Sequence, residues 1–597
     1  MNIADFIFNF LASKGCDTVF MVSGGQAMYL VDTLCRSPGF TTICTHHEQS
    51  AGMAAEAYGR ITGKPAVALV TAGPGSVNVI NGVVGGWTDS SPMFIVSGQS
   101  ALSYVQYQQK THIRQYGIQG INVRPIVEHV TKYFVTIDDP LKILYYLQKA
   151  YYLATTGRPG PVWIEVPLDV QNMAVATGLM EEFRPPVDRT DIKLLKQQVK
   201  SIYGLLSVAK RPLLIVGQGV RIAKAVDALY MLLSRLRIPV VTSRLGIDII
   251  ESDNDLYVGR PGNYGERSAN FAIQNADLII SVGCRLASAL VGYDAKHFGK
   301  HAKKIVVDVD SEELDKPGTP IDLKIHADAK LFLDEMIHEL DPTKKYDFSP
   351  WIQKCNDWKT RYHVVLDSYR YEKPINSYYF TERLSALATK DDMILVDTGS
   401  CFHIVCQTWK IKKDQRFLTT GGLSSMGYWV AGLGACMANN RKRTIVITGD
   451  GSLQMNIQEF ATIKHNNLPI KVFIFNNNGY LLIRQTQRNF MDGRTFGESP
   501  ETGVWCPDSL KIADAYGIKG IRIDSVDGID KNIKEVLDYD GPVICDVITP
   551  KWQLIVPRVS SEKRPDGTLV PRPYEDMYPY LDEEQLKKQM IAELPDE

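Results

Sequence analysis

Two polar side chains follow apolar runs in the C-terminal half of the chain. Asp450 lies in the run GDGS directly after residues 444–448, and Asn477 lies in the run NNNG directly after residues 470–475. A carboxylate and an amide oxygen at the ends of two neighbouring strands suit a hard divalent cation that still has room for phosphate oxygens. The adjacent Gly449 and Gly451 let backbone N–H groups approach those phosphates. The pattern therefore predicts a diphosphate held through a metal ion.

The alternative for this motif is an ordinary βαβ turn that binds nothing, because a lone Gly-Asp-Gly is weak evidence. Here a helix is expected over residues 457–464, and the asparagines follow the second apolar run. A motif counts only in the right structural context, so we prefer the metal interpretation.

A second candidate group lies near the N-terminus. Glu48 stands in HHEQSAGMAAEAYGR at residues 46–60, and the glycine-containing run TAGPGSVN follows at residues 71–78. Taken alone, Glu48 also fits a carboxylate at a helix N-terminus, where the helix dipole stabilises negative charge.

Length and composition place the chain among large globular proteins. Its 597 residues are too many for one core, so several domains are expected. The hydrophobic fraction is 45% and the charged fraction is 22%, as in ordinary globular proteins. The net charge of −1 gives no electrostatic argument for binding nucleic acid or an anionic membrane.

Three observations predict a cytoplasmic protein. The first residues lack a basic segment and a cleavage site, so no signal peptide is expected. No run of about 18 apolar residues is present, so no membrane helix is expected. The ten cysteines show no repeated short spacing, which favours reduced thiols over disulfides or a zinc site.

Apolar runs alternate with amphipathic helices, which predicts an α/β fold of three doubly wound parallel-sheet domains. We expect the domains at residues 1–175, 191–345 and 360–550, and a tail at 551–597 with a helix over 583–591. Polar stretches at 185–190 and 341–346 are the expected linkers. The clearest predicted strands cover residues 66–70, 93–96, 162–166, 212–216, 278–282 and 304–309, besides the two runs that precede Asp450 and Asn477.

Together the two motifs resemble the acetohydroxyacid (acetolactate) synthase branch of the thiamine diphosphate (ThDP)-dependent enzymes, over nearly the whole chain. The resemblance implies the domain order pyrimidine-binding, central and diphosphate-binding. It implies ThDP and Mg²⁺ as cofactors. In this family the glutamate and the metal half of each site come from different subunits, so a homodimer or homotetramer with active sites at the subunit interface is implied.

The resemblance also assigns catalytic and metal-binding roles by position. Glu48 matches the carboxylate that hydrogen-bonds the aminopyrimidine ring and favours its imino tautomer, whose nitrogen takes the proton from the thiazolium carbon. Gln119 matches an active-site glutamine, although Ile118 stands where the family has a phenylalanine. Asp450 and Asn477 match the metal ligands, with the backbone carbonyl of Gly479 as a third.

Further positions match residues that contact the cofactor. Met426 matches the apolar residue that bends ThDP and brings its two rings together; without its neighbours it would be read as a core methionine. The remaining cofactor-binding candidates are Gly24, Gly25, Pro74, Asn78, Gly399, Ser400, Ser424, Gly449, Gly451 and Ser452.

Several positions depart from the family pattern. Ser400-Cys401 replace a Gln-His pair near the diphosphate, and a cysteine is a weak donor. Gln26 near the reacting carbon predicts a more polar acceptor, or else it faces the surface. Thr486 replaces a tryptophan that favours 2-ketobutyrate, which predicts a larger and more hydrophilic acceptor pocket.

Arg484 and Arg488, beside Thr486, either meet a carboxylate or phosphate or are solvated helix charges. The sequence alone does not choose between these two alternatives.

An additional FAD cofactor stays open. Residues 216–220, VGQGV, form a glycine-rich turn of a kind common in sheets that bind nothing. Arg285 matches the family, but the acidic pair that should follow it is missing. Asp308, Asp310 and Asp328 do match. FAD plays no redox part in acetolactate chemistry, so its loss would leave the predicted function intact.

The predicted function is decarboxylation of a 2-keto acid, with pyruvate expected, followed by carboligation to a carbonyl acceptor. The acceptor is a second pyruvate, giving 2-acetolactate, or a keto-sugar nucleotide, giving a branched sugar. Two alternatives remain: a ThDP-dependent C–C hydrolase of a cyclic dione, and a non-catalytic relative. Glu48, Asp450 and Asn477 are all present, which argues against the non-catalytic alternative.

Overall fold

In the computed structural model, the described residues are 1–175, 178, 180–187, 190–563, 566 and 568–591. They form three six-stranded sheets, each parallel throughout, and one short hairpin near the C-terminus. Positions 188–189 of the predicted 185–190 linker and residues 564–565, 567 and 592–597 of the predicted tail lie outside the described residues.

The first sheet has the strand order β2-β1-β3-β4-β6-β5. Its strands are β1 (Thr18–Met21), β2 (Thr41–Cys44), β3 (Ala66–Val70), β4 (Met93–Gln99), β5 (Tyr133–Thr136) and β6 (Pro161–Pro167). Its helices are α1 (Ile3–Ser13), α2 (Met28–Cys35), α3 (Glu48–Thr62), α4 (Pro74–Asn78), α5 (Ile80–Thr88), α6 (Leu102–Lys110), α7 (Arg124–Val127), α8 (Ile143–Thr155) and α9 (Leu168–Gln171).

The second sheet has the order β12-β11-β10-β7-β8-β9. Its strands are β7 (Pro212–Val216), β8 (Val240–Thr242), β9 (Tyr257–Gly259), β10 (Leu278–Val282), β11 (Lys303–Asp308) and β12 (Leu323–His326). Its helices are α10 (Ile192–Leu206), α11 (Gln218–Ile222), α12 (Val226–Leu236), α13 (Arg267–Asn275), α14 (Ser288–Val291), α15 (Ser311–Asp315) and α16 (Ala329–His338). The next helix, α17 (Ser349–Arg361), packs against α13.

The third sheet has the order β14-β13-β15-β16-β18-β17. Its strands are β13 (Met393–Val396), β14 (Arg416–Thr419), β15 (Thr444–Gly449), β16 (Ile470–Asn476), β17 (Lys519–Ile523) and β18 (Val543–Ile548). Its helices are α18 (Ser377–Leu387), α19 (Ser400–Thr408), α20 (Gly432–Ala438), α21 (Asp450–Leu453), α22 (Glu459–His465), α23 (Leu481–Phe490), α24 (Ser509–Ala515) and α25 (Ile529–Asp538).

The predicted fold class is confirmed. Strands such as β3 (AVALV) and β7 (PLLIV) are buried at every residue, as parallel strands must be when helices cover both faces of the sheet. The predicted strands begin and end within a few residues of the observed ones, and the helix expected over 583–591 is α26 (Glu583–Gln589).

The first and third sheets share one core. Helix α3 packs against α20, and a Cβ on Gly434 would lie 1.9 Å from the carbonyl oxygen of Ala54, so only glycine allows this approach. A buried polar group crosses the same interface. Arg60 on α3 contacts Glu56, Asp89 and Tyr428, and the Asp89 carboxylate accepts the N–H groups of Gly421 and Gly422.

The C-terminal segment packs on the central sheet. A hairpin of β19 (Ser561–Lys563) and β20 (Leu569–Pro571) leads to α26. The Asn270 side chain donates to the Tyr574 carbonyl, and the Trp358 indole donates to Gln589. Among the described residues, no helix is long and apolar enough to cross a membrane.

Candidate active site

The carboxyl ends of three neighbouring strands bring the polar residues of the third sheet together. Asp397 follows β13, Asp450 follows β15 and Asn477 follows β16, and these strands are adjacent in the sheet. Ligands of open parallel sheets bind at this edge. The structure therefore places Asp450 and Asn477 where the sequence pattern predicts a diphosphate.

Asp450 is held by backbone donors at the start of α21. Its Oδ1 accepts the N–H of Gly451 at 3.0 Å, and its Oδ2 accepts the N–H of Gly479 at 2.9 Å. Burial raises the pKa of this carboxyl to about 6, although the backbone donors lower it. A bound cation would replace the lost hydration and favour the ionised form.

Asn477 is buried, and its Oδ1 has no hydrogen-bond partner among the described residues. An orphaned buried oxygen is costly unless a ligand satisfies it. Since this oxygen stands beside a buried carboxylate, the donor set fits a hard cation such as Mg²⁺. Gly479, the predicted third ligand, adopts φ 132°, a conformation that favours glycine.

A buried arginine fixes the loop that carries Asn477. The Arg484 guanidinium on α23 pairs with Glu498 and donates to the backbone carbonyls of Asn477 and Asn478 at 3.4 and 3.1 Å. The interpretation of Arg484 as a solvated helix charge is therefore wrong. Arg484 meets a carboxylate of its own chain, and sequence reasoning missed this role because Glu498 lies beyond the helix.

Asp397 is a functional residue that the sequence analysis overlooked. It is buried, and it accepts hydrogen bonds from the hydroxyls of Ser452 and Thr448 at 2.6 and 2.8 Å and from the N–H of Tyr428 at 3.1 Å. Burial raises its pKa to about 6. The available signal was the run Asp-Thr-Gly directly after an apolar strand, the same arrangement that identified Asp450.

Open space lies beside two of the predicted cofactor-binding glycines. A Cβ on Gly399 or Gly449 would meet no atom within 4 Å. Gly399, with φ 90°, directly precedes α19, and Ser400, the first residue of that helix, is buried. This edge therefore offers backbone N–H groups and room for phosphate oxygens.

Other predicted contacts are partly engaged within the protein. The Ser452 hydroxyl, besides donating to Asp397, accepts the N–H of Gly427 at 2.8 Å. The Cys401 thiol lies 3.0 Å from the Thr398 carbonyl, so it faces the strand end. Met426 is half-buried, and Ser424 is exposed with φ 52° in the turn just before it.

The N-terminal group assembles around the start of α3. Glu48 is its first residue and is nearly buried, and the Asn78 amide donates to Glu48 Oε2 at 3.0 Å. Pro74 begins α4, the helix that carries Asn78. Glu48 and Asp450 thus have separate sets of partners within one chain.

The loop with Gln119 lies at the same end of the first sheet. Gln119 is exposed with φ 60°, and Ile118 beside it is 74% exposed. The loop is fastened through its backbone: Gln99 donates to the Ile121 carbonyl at 2.9 Å, and Gln108 donates to the Gly120 carbonyl at 3.1 Å.

Gly24 and Gly25 follow β1. A Cβ on Gly24 would lie 2.5 Å from the Thr71 side chain, whereas the space beside Gly25 is open. Gln26 is buried, so the alternative in which it faces the surface is wrong. Its carbonyl accepts a hydrogen bond from Gln171 at 2.7 Å.

On α23, Thr486 is exposed and its hydroxyl bonds only to its own helix, at the Leu482 carbonyl. The Arg488 guanidinium lies 4.4 Å from the ring centre of Trp552. The larger and more hydrophilic acceptor pocket expected at Thr486 stays a prediction.

Several of the residues considered for FAD line a cavity of about 400 Å³ between the three sheets. Gly219, Arg285, Asp308 and Asp328 are among its walls. Arg285 pairs with Glu313 at 2.7 Å and reaches the Thr88 carbonyl. Asp310 pairs with Arg158, Asp328 caps α16, and Asp308 accepts the N–H of Asp310 at 3.0 Å, so all three aspartates have partners within the protein.

Comparisons with known proteins agree with this arrangement. Residues 1–122, 199–336 and 397–547 match the N-terminal, central and C-terminal domain models of the thiamine pyrophosphate (ThDP) enzymes. The chain is 32% identical to the probable acetolactate synthase large subunit of Methanococcus aeolicus, over 92% of each chain. It is 30% identical to acetolactate synthase isozyme 2 large subunit of Escherichia coli (strain K12), over 94% of this chain and 99% of that one.

The three matched domains and the site at the strand ends define a thiamine pyrophosphate enzyme. More narrowly, the chain belongs to the acetolactate synthase large-subunit family.

Proposed function

We propose that this protein joins two molecules of pyruvate into 2-acetolactate and releases one CO₂, with ThDP held through Mg²⁺. The observation that carries the proposal is the unpartnered, buried Oδ1 of Asn477 beside the buried carboxylate of Asp450. Membership of the acetolactate synthase family supplies the substrate and the reaction.

In this proposal Asp450, Asn477 and the carbonyl of Gly479 bind the metal. Backbone N–H groups near Gly399, Ser400, Gly449 and Gly451 bind the phosphates. When bound, ThDP supplies the electron sink for loss of CO₂ from a 2-keto acid. Asp397 keeps Ser452 and the Tyr428 backbone in place, and the turn with Met426 that precedes Tyr428 would contact the bound cofactor.

Glu48 is the proposed proton-handling residue. It holds a proton in exchange with the aminopyrimidine ring, and general acid–base groups of this kind contribute about 10²–10⁴-fold to rate. Asn78 orients the Glu48 carboxylate through the 3.0 Å hydrogen bond. Gln119, which is exposed beside Ile118, is proposed to contact the substrate, and Gly24, Gly25 and Pro74 are proposed to contact the cofactor ring.

The active form is proposed to be a homodimer or homotetramer. Glu48 and Asp450 have separate partners within one chain, and Gln119 and Thr486 are exposed. A second copy that brings its Glu48 to the metal group of the first would complete two sites at once, since such interfaces are symmetric.

Further proposals concern domains, location and FAD. The functional domains run over residues 1–175 (pyrimidine-binding), 191–345 (central) and 360–550 (diphosphate-binding).

The ten free cysteines support a cytoplasmic location. FAD is proposed as an optional ligand of the 400 Å³ cavity, because Arg285 and Asp308 line it.

The test is product analysis. The protein is incubated with ThDP, Mg²⁺ and pyruvate, and CO₂ and 2-acetolactate are quantified, with and without a keto-sugar nucleotide. Stoichiometric CO₂ and 2-acetolactate support the proposal. CO₂ release without a ligated product, or hydrolysis of a cyclic dione without CO₂, would overturn it.

The acceptor is tested by Thr486→Trp. An added indole takes acceptor space, so ligation to a keto-sugar nucleotide should fall about a hundredfold if a clash costs about 3 kcal/mol, whereas ligation to pyruvate should fall less. The exposed Ile483→Trp, on the same helix, is the matched control. An unchanged product ratio would show that Thr486 does not line the acceptor pocket.

A further inference from the structure

A second cavity, here called the basic crevice, lies where the three sheets meet. It encloses about 670 Å³. Its walls come from the end of α3, from α11 and the start of α12, and from β14. Seven basic and two acidic side chains line it, although the whole chain carries a net charge of only −1.

Four of those cations have no acidic partner. Within the part of the chain that the structure describes, no carboxylate oxygen lies within 4.0 Å of the charged nitrogens of Lys14, Lys64, Lys224 or Arg244. The three lysines stand at the exposed rim and belong to three different segments. Their ammonium groups are therefore available to a ligand.

Arg244, which lines both this crevice and the neighbouring cavity considered for FAD, provides an independent observation. Its Nη2 is buried and has no hydrogen-bond partner among the described residues. Its guanidinium lies 4.8 Å from the ring centre of Phe402, which offers weak attraction but no hydrogen-bond acceptor. An unsatisfied buried donor of this kind points to an acceptor that the chain does not supply.

The acidic side chains do not neutralise the crevice. Asp248 is shared by two guanidiniums, since Arg221 donates to its Oδ1 at 3.1 Å and Arg416 to its Oδ2 at 2.8 Å. Asp227 is the other carboxylate in the lining. A concave surface with this excess of one sign concentrates ions of the opposite sign.

The junction at Arg416 ties the crevice to all three sheets. Arg416 is the first residue of β14 in the third sheet. Its side chain donates to Asp248 beside the second sheet and to the Ile61 carbonyl at the end of α3. Because the walls belong to three sheets, an anion bound here would also hold them together.

We propose that the basic crevice binds a small molecule with two or more phosphate charges, such as a nucleoside diphosphate or inorganic pyrophosphate. Lysine and arginine are the side chains that bind phosphate oxygens. The proposal does not depend on the proposed carboligase activity. The site is distinct from the diphosphate edge near Asp450, and Lys64 and Lys224 do not line the cavity considered for FAD.

The experiment is calorimetric titration of the enzyme saturated with ThDP and Mg²⁺, so that the cofactor site is filled. The probes are ADP, inorganic pyrophosphate and uncharged adenosine. We expect ADP to bind with one site per chain, and the affinity to fall as salt rises. Equal affinity for pyrophosphate would identify the phosphates as the whole ligand, whereas tighter ADP binding would show that the nucleoside also contributes.

Variants locate the site. Lys64→Gln and Lys224→Gln change exposed side chains and should each weaken ADP binding about tenfold, the usual size for a hydrogen bond to a charged group. Lys193→Gln, an exposed lysine on α10 outside the crevice, should leave it unchanged. Absence of ADP and pyrophosphate binding, adenosine binding as tight as ADP, or full affinity in both variants would each overturn the proposal.

Discussion

The first and third sheets have the same strand order but different chemistry at their strand ends. In both, the first two strands are exchanged and the last two are exchanged, whereas the central sheet has another order. The third sheet ends in Asp397, Asp450 and Asn477, all buried. The first ends in glycines, Glu48 and the exposed Gln119. In the proposed function, one scaffold thus carries two half-sites, and the residues after the strands decide which half each becomes.

A closer parallel between the two sheets lies in the strand next to the last one in each strand order. Glu165 in β6 and Asp546 in β18 are buried carboxylates on corresponding strands. Each carboxylate accepts a hydrogen bond from a side chain that supports the backbone near a predicted site residue. Glu165 accepts one from Gln99, which also donates to the Ile121 carbonyl in the loop with Gln119. Asp546 accepts one at 3.0 Å from Asn476, which precedes Asn477.

The partners of the two carboxylates differ. Arg522 pairs with Asp546 at 2.8 Å, whereas the donors that Glu165 has among the described residues, Gln99 and Thr136, are neutral. Burial therefore raises the pKa of Glu165 to about 7. Among the described residues, the buried carboxylate of the third sheet therefore has an arginine within ion-pair distance, whereas that of the first sheet does not.

The largest expected effect is on the third-sheet half. Asp450→Ala removes the charged metal ligand and should abolish Mg²⁺-dependent ThDP binding, while the fold persists because the rest of the sheet is unchanged. Calorimetry with ThDP measures it, and Asp527→Ala, at an exposed position in the same domain, is the control. Unchanged ThDP affinity would mean that Asp450 is not a ligand.

A substitution at the strand ends of the first sheet should affect turnover rather than ThDP binding. Glu48→Gln should keep ThDP affinity and lower turnover by about 10²–10⁴, since a proton-exchanging group is lost but the hydrogen bond to Asn78 can persist. Steady-state kinetics and ThDP titration together test this contrast. If the variant turned over normally, the assignment of Glu48 would be lost; the exposed Glu128→Gln is the control.

Arg484→Lys separates metal binding from positioning. Lysine keeps the charge opposite Glu498 but cannot reach both loop carbonyls at once. We expect the Mg²⁺ requirement for ThDP binding to rise about 10–100-fold, as for other groups that orient metal ligands, with the melting temperature little changed. Arg488→Lys on the same helix is the control. A parallel loss in both variants would show that the effect is not specific to the loop.

The smallest effect is on stability and depends on pH. The folded Glu165 carboxyl holds a proton up to about pH 7, whereas the unfolded one loses it near its ordinary pKa of 4.5. Its contribution to stability is therefore full below 4.5 and is lost as pH rises towards 7. Glu165→Gln removes this loss, which amounts to at most about 3 kcal/mol at 1.36 kcal/mol per pKa unit.

Thermal unfolding at pH 5 and pH 8 tests this prediction. The melting temperature of Glu165→Gln, relative to that of the wild type, should be higher at pH 8 than at pH 5. Glu181→Gln, which changes an exposed glutamate, should show no such difference. An equal shift at both pH values would show that Glu165 does not titrate in this range.

The sequence by itself determined the fold class, eight of the twenty described strands and the edge where a diphosphate is expected. Strands buried on both faces must be apolar throughout, so runs such as 212–216 stand out. The residue after a parallel strand lies at the binding edge whatever the loops do. Asp450 and Asn477 could therefore be placed together from local pattern alone.

Only the tertiary structure decided which polar residues are partners across long sequence separations. Arg484 meets Glu498 inside the protein, and the Arg60 group joins α3 to Tyr428. The basic crevice likewise combines residues from all three sheets. Periodicity reports which face of an element is buried, but it carries no information on which distant charge that face will meet, because pairing depends on how the sheets pack against one another.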